Sequence, residues 1–247
     1  VGDEAGRELL CQAVDADGDG TPDRVIFQAD FAAGQTRTFT VTAGEKRVYT
    51  RDQFRTYGRF VRERYDDFCW ENDRIAHRMY GRALETAERI PLISSTVDIW
   101  SKRTSRLVIN DWYMVDDYHR DNGEGGDCYS AGLSRGCGGN GLWAADRLWV
   151  SKNFVSTRVL ACGPIRLTFE LVYEPFDVDG LPAVKVTVRR NASGTRGTHA
   201  HRPRPLRKKI VAAIVRAVAA RSWFAMPKSG HRIQTPPCGS RTPAYRK

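Results

Sequence analysis

The chain has 247 residues, 41% hydrophobic and 28% charged, with 39 Lys and Arg against 29 Asp and Glu. That length suits one large domain or two small ones with a substantial core. The absence of any apolar run near the roughly 20 residues of a membrane-spanning helix excludes a helical membrane protein and leaves no membrane partner expected. The net charge of +10 averages two unlike parts. Residues 1–179 hold 23 basic and 29 acidic residues, whereas residues 180–247 hold 16 basic residues, no acid and 7 of the 11 prolines. The opening VGDEAGRELL has neither the basic nor the apolar region of a signal peptide, so no address is read there.

Three regions are expected: an N-terminal β-hairpin region over 1–50, a partial β-sandwich over 51–188 and a basic, acid-free tail over 189–247. In chain order, the first motif is the acidic run from Asp15 to Asp23. Asp15, Asp17, Asp19 and Asp23 stand at positions 1, 3, 5 and 9 of a calcium-type loop with Gly20 at position 6. Ca²⁺ takes six to eight oxygens, but Ile26 occupies position 12, where a bidentate Glu belongs. The alternatives are a Ca²⁺ ion that pins a loop without doing chemistry, and an ordinary Asp/Gly turn. No cofactor is required by either. Phe27 to Phe31 and Thr36 to Val41 alternate around Gly34-Gln35 and predict a hairpin.

Trp70 to Tyr80 (WENDRIAHRMY) keeps a period of 2 and predicts one strand, with Trp70, Asn72, Arg74, Ala76, Arg78 and Tyr80 on one face. Neither face is wholly apolar. The alternatives are a salt-bridged strand and a polar floor for an acidic, hydrogen-bonding ligand. Tyr118 to Asp127 is a Gly-punctuated polar loop carrying His119, the preferred general acid or base; only His77 and His119 precede the tail. Ser134 to Gly141 is Gly-rich but lacks the Lys-Ser/Thr of a phosphate-binding loop, so it is read as a tight loop presenting Arg135. No nucleophile elbow occurs. Gly141 to Trp143 and Leu148 to Phe154 predict a second hairpin, and Arg158–Cys162 and Ile165–Tyr173 two further strands. The six cysteines show no metal spacing and are read as small buried apolar groups, with a Cys128–Cys137 bridge as the alternative. The tryptophans are read as core before sugar platforms.

The tail has two readings. Leu206 to Phe224 has the pattern of a basic amphipathic helix for nucleic acid or an anionic membrane. The preferred reading is a non-native segment, such as a shifted reading frame produces, because the strand pattern breaks off in mid-course. A nucleic-acid partner would rest on this tail alone and is disfavoured.

Several stretches together resemble the bacterial domain-of-unknown-function family numbered 4861. They are Asp67 to Ala76 with Arg78-Met79-Tyr80-Gly81, Asp98 to Arg103, the Asp117–Asp127 loop, Ser134 to Gly139, Val150 to Phe154 and the Asp-Gly-Asp-Gly run. The resemblance covers roughly residues 10–180, the front half of the family. It implies an all-β fold, an incomplete β-sandwich of the carbohydrate-enzyme type, in an exported, periplasmic or secreted protein linked to degradation of acidic polysaccharides. The implied partner is a uronic-acid-containing oligosaccharide, and the expected chemistry is β-elimination by a lyase or dehydratase. His119 and Tyr80 would be its base and acid. Asn72, Arg74, Arg78, Glu124 and Arg135 would bind substrate. The alternatives are a non-catalytic glycan-binding sandwich and an inactive truncated family member. An acidic pair such as Glu71 and Asp73, or Asp73 and Glu124, would instead suit glycoside hydrolysis, the less favoured chemistry.

Overall fold

The computed structural model describes residues 1–15, 19–45, 47–178, 181–184 and 186–194. The expected helix at 206–224 lies outside them, as do Asp17 and Cys238. The strands are β1 (Cys11–Val14), β2 (Arg24–Phe27), β3 (Thr56–Val61), β4 (Asp67–Asn72), β5 (Ile75–Met79), β6 (Val97–Lys102), β7 (Gly125–Gly126), β8 (Leu142–Ala144), β9 (Arg147–Trp149), β10 (Phe154–Cys162), β11 (Arg166–Tyr173), β12 (Phe176–Val178), β13 (Leu181–Val184) and β14 (Thr187–Ser193). The α-helix among the described residues is α1 (Ile109–Val115). This is the expected all-β sandwich.

A five-stranded sheet, ordered β3-β4-β5-β6-β7, packs against a three-stranded sheet, β10-β11-β14. Strict alternation places Leu167, Phe169, Leu171 and Tyr173 of β11 inward, where they meet Phe68, Trp70, Met79 and Val97 of the larger sheet. Phe68 stacks on Phe169 at 4.3 Å between ring centroids. Each such side chain contributes about 1.5–3 kcal/mol by leaving water. The outer face of the larger sheet is covered too. Trp100 is wholly buried there among Trp112 and Tyr113 of α1 and Tyr118. Burial on both faces explains why neither face of β4 and β5 looks like a solvent face.

The predicted strand Trp70–Tyr80 is instead a hairpin. Asn72 Oδ1 accepts hydrogen bonds from the backbone N–H groups of Arg74 (2.8 Å) and Ile75 (3.0 Å), which turns the chain after β4. An even-numbered turn leaves the period of 2 unbroken in sequence but reverses which residues share a face. Trp70 therefore pairs with His77, and Cys69 with Arg78. The predicted hairpin at 27–41 is also corrected. β2 ends at Phe27 and pairs with β1 instead, with the acidic run as their connection. Phe27, Phe31 and Phe39 meet as a ring cluster, with the Arg37 guanidinium 5.0 Å from the Phe39 centroid. Clustering of the rings takes the place of a ladder here, with Phe27 and Phe39 half-buried and Phe31 exposed. The second hairpin forms as β8–β9, shorter than predicted, and Phe154 opens β10.

The expected boundary at 188 falls inside β14. That strand pairs with β11 from Val172↔Thr187 to Arg166↔Ser193. Ala192 is buried in the core, and Arg190 lies over the Trp70 ring at 5.8 Å. The first part of the acid-free stretch thus belongs to the sandwich. The cysteine reading holds for Cys69, which is buried, whereas Cys137 and Cys162 are exposed free thiols, so no Cys128–Cys137 bridge forms.

Gly81 joins the two sheets through its bridge to Phe154. A Cβ there would lie 1.9 Å from the Asp66 carbonyl oxygen, a backbone atom with no room to yield. Gly81→Ala is expected to lower stability by about 1–3 kcal/mol, read as a fall in the urea midpoint, whereas Gly44→Ala, which meets nothing within 4 Å, leaves it in place.

Candidate functional site

The pairings Arg59↔Cys69, Cys69↔Arg78 and Arg78↔Asp98 run as one row across the outer face of the larger sheet. In that row the Arg78 side chain is 4% exposed. Its Nη2 donates to Asp98 Oδ2 at 2.7 Å and to Asp127 Oδ2 at 2.9 Å, and its Nη1 donates to the Tyr118 hydroxyl at 3.3 Å. The guanidinium also lies 5.3–5.6 Å from the ring centroids of Tyr80, Tyr118 and Trp100. Tyr80 donates its hydroxyl hydrogen to Asp98 Oδ2 at 3.0 Å.

Asp127 reaches this cluster because β7 pairs with the end of β6. Gly125 makes that approach with φ of 109°, and a Cβ on it would lie 2.1 Å from the Ser101 carbonyl oxygen. His119 stands at the rim, its side chain 64% exposed. Its Nδ1 lies 3.4 Å from both the Asp127 carboxylate and the Asp127 carbonyl oxygen, and its ring packs on Tyr118 at 4.6 Å. Nε2 makes no bond to the described residues. The result is an imidazole at the surface, backed by a buried carboxylate that is itself held by a buried guanidinium. Such a chain fixes the ring's orientation and favours the tautomer with its proton on Nδ1.

Three acids surround one buried cation. Burial opposes the charge on Arg78, yet Asp67, Asp127 and Asp98 hold it firmly protonated. Burial pushes the Asp127 carboxyl up to about 6, with Asp98 adding to the rise and Arg78 and His119 opposing it. Burial pushes Asp67 up to about 7, against the pull of Arg78 and Arg64. Asp67 Oδ1 accepts only a long bond, 3.4 Å, from the Gly81 N–H, and Oδ2 has no partner among the described residues. Burial likewise raises the Tyr80 phenol.

The structure therefore brings together His119, Arg78 and Tyr80, and adds Asp67, Asp98, Asp127 and Tyr118. Arg78 is occupied by its acids and Tyr80 is buried against Leu84 and Ala87, with its hydroxyl on Asp98, so neither faces a ligand as expected. Asn72 and Arg74 lie elsewhere: Asn72 shapes the β4–β5 turn and donates to the Ser193 carbonyl at 3.0 Å, and Arg74 is exposed at the turn. Glu124 is engaged by Arg106 at 2.7 Å. Arg135 donates to Ser95 Oγ at 3.0 Å, holding the Gly-rich loop against the chain entering β6. In the acidic run, Asp15 Oδ2 accepts from the Gly20 N–H and Asp19 Oδ1 from the Thr21 N–H, and Asp23 lies 3.9 Å from Arg24. Among the described residues no group of three or more His, Cys, Asp or Glu side chains is placed to hold a metal ion. Asp98 is a site residue with a usable signal in the sequence: an acid in phase with Trp100 on the strand VDIWSK, buried beside it, requires a buried cation.

The chain belongs to the family described as Domain of unknown function (DUF4861), which matches residues 1–203. The match runs past Ser193, in keeping with the place of β14 in the sheet. The chain is 35% identical over 180 residues to a Formosa agariphila protein described as "Uncharacterized protein P7", over 69% of this chain and 46% of that protein. It thus spans about half the length of this curated relative. No solved structure matches. No helix among the described residues is long and apolar enough to cross a membrane.

A carboxyl raised by folding binds its proton in the native state before it does in the unfolded chain, so its contribution to stability falls as pH rises. For Asp67 that loss runs between about pH 4 and 7 and amounts to roughly 4 kcal/mol. Acids paired with arginine such as the exposed Glu63 and the half-buried Glu170, whose carboxyls are lowered, act in the opposite direction. Asp67→Asn is therefore compared with the parent: its urea midpoint should gain on the parent's steadily from pH 4 to 7. Parallel curves would show that Asp67 does not carry the shift.

Proposed function

We propose that this chain is part of a carbohydrate-active protein that acts on uronic-acid-containing oligosaccharides by β-elimination, with His119 as the base. The observation that carries this reading is the relay from His119 to Asp127 to Arg78 and Asp98. An exposed imidazole oriented by a buried carboxylate is suited to taking a proton from carbon. In the reaction, His119 Nε2 removes the proton α to the substrate carboxylate. The electrons pass through the enolate to form the new C=C bond, and the adjacent C–O bond breaks. The leaving oxygen takes a proton, which His119 returns when both groups lie on one face of the sugar.

Tyr80 is too buried to serve as the acid, and Arg78 too occupied to hold the substrate carboxylate. Arg120, exposed beside His119, takes that place in the proposal. Asp127 acts through His119 and is a positioning residue. An exported setting belongs to the same proposal. The other reading, a glycan-binding module without turnover, draws on Trp143, 63% exposed on the β8–β9 hairpin and available for sugar stacking.

The test is turnover of oligouronates followed by the ultraviolet absorbance of the unsaturated product. His119→Ala should lower kcat about 10²–10⁴-fold with little change in KM, and Asp127→Asn should lower kcat less while displacing the pH profile. Unchanged turnover in His119→Ala would remove the base from this reading. Tight oligouronate binding by the parent chain without any turnover would favour the binding module.

A further inference from the structure

A cleft of about 420 Å³ opens beyond the N-terminal end of α1, away from His119, lined by Arg51, Phe54, Tyr57, Glu71, Leu107, Asn110 and Cys162. Its volume is that of a small-molecule site, and its walls combine two aromatic rings with a few polar groups. Glu71 at its floor is wholly buried, yet it does not make the cleft acidic. Lys102 Nζ lies 2.6 Å from Glu71 Oε2, and the Val108 and Ile109 N–H groups donate to the same carboxylate at 2.9 and 3.0 Å. Lys102 is as buried as its partner. The floor is thus neutralised from within and presents no repulsion to an anion.

The remaining polar groups are poised to donate. Asn110 spends its Oδ1 on Arg59 Nε, 2.7 Å away, which leaves its NH₂ group for a ligand. Arg51 at the mouth has a side chain 73% exposed, and its nearest acid, Asp111, lies 3.9 Å away. Asp111 is already engaged by Arg106, so the Arg51 guanidinium is held loosely and remains able to take a carboxylate in bidentate fashion.

We infer that this cleft binds a single sugar acid, a pyranose ring carrying a carboxylate, with Phe54 and Tyr57 against the ring, Asn110 on a hydroxyl and Arg51 on the carboxylate. Ring faces with axial C–H groups pack on aromatic side chains, and the loose cation selects the acid over the neutral sugar. The site is separate from His119 and does not depend on the reaction proposed there.

Cys162, a free thiol on the cleft wall, reports occupancy. Its alkylation by iodoacetamide is followed by peptide mass spectrometry, with the exposed Cys137 as internal control. Glucuronate or galacturonate at about ten times its Kd should slow Cys162 alkylation roughly tenfold and leave Cys137 unaffected, whereas glucose at the same concentration should not. Arg51→Ala should abolish the protection, with an unchanged urea midpoint showing that the fold is intact. His119→Ala should retain it, which separates this site from the proposed reaction centre. Absence of protection by either acid, equal protection by glucose, or full protection in Arg51→Ala would overturn the proposal.

Discussion

A guanidinium out of contact with water keeps its charge only where acids are built around it, and Arg78 imposes that requirement on the whole outer face of the larger sheet. Its counter-charges come from separate parts of the chain: Asp67 from β4, Asp98 from β6 and Asp127 from the segment after β7. Bringing Asp127 in requires the Gly125–Gly126 strand to close on Ser101 and Lys102. That closure in turn places Tyr118 over the guanidinium and His119 at the rim. The accessible imidazole is thus a consequence of how a buried charge is satisfied. Removing one acid would leave a cation uncompensated in a medium that solvates it poorly.

The same logic operates a second time on that face. On β6, Asp98, Trp100 and Lys102 point to one side, so the large indole separates two buried ionic groups. Arg78 with its acids lies on one side of Trp100. Glu71 with Lys102 lies on the other, where Glu71 also receives the first N–H groups around α1. One network ends in an exposed histidine and the other forms the neutral floor of a cleft. Both are held by an aromatic layer of Trp100, Trp112, Tyr113 and Tyr118, with Trp100 stacked on Tyr118 at 4.9 Å. The opposite face of the sheet is occupied by the largely apolar sandwich core.

Much of the fold was legible in the chain. β10 and β11 follow from alternation around Gly163-Pro164, and β8–β9 from two short apolar runs around a turn. The β4–β5 hairpin was concealed because its turn preserves the period of 2, so the pattern reads straight through it while the faces exchange. The end of β14, which the expected boundary at 188 leaves to the tail, is concealed for a different reason. Loss of acids signals a change of composition, but a strand needs only its inward residues to be apolar. Val186, Val188 and Ala192 meet that need while Arg189 pairs with Glu170 on the outside.

For the site, residue type and loop context were enough to single out His119, since few histidines compete with it. They could not assign Arg78 or Tyr80 to a buried network instead of a ligand, nor pair Arg78 with Asp98 and Asp127, which lie 20 and 49 residues away. The sequence by itself determined a β-rich sandwich, its main strands and a histidine on a polar loop, because alternation and turn chemistry are local. Only the tertiary structure decided which charges are buried together and which are offered to solvent. That outcome depends on strand register and on what covers each face, and neither is written within a short stretch of chain.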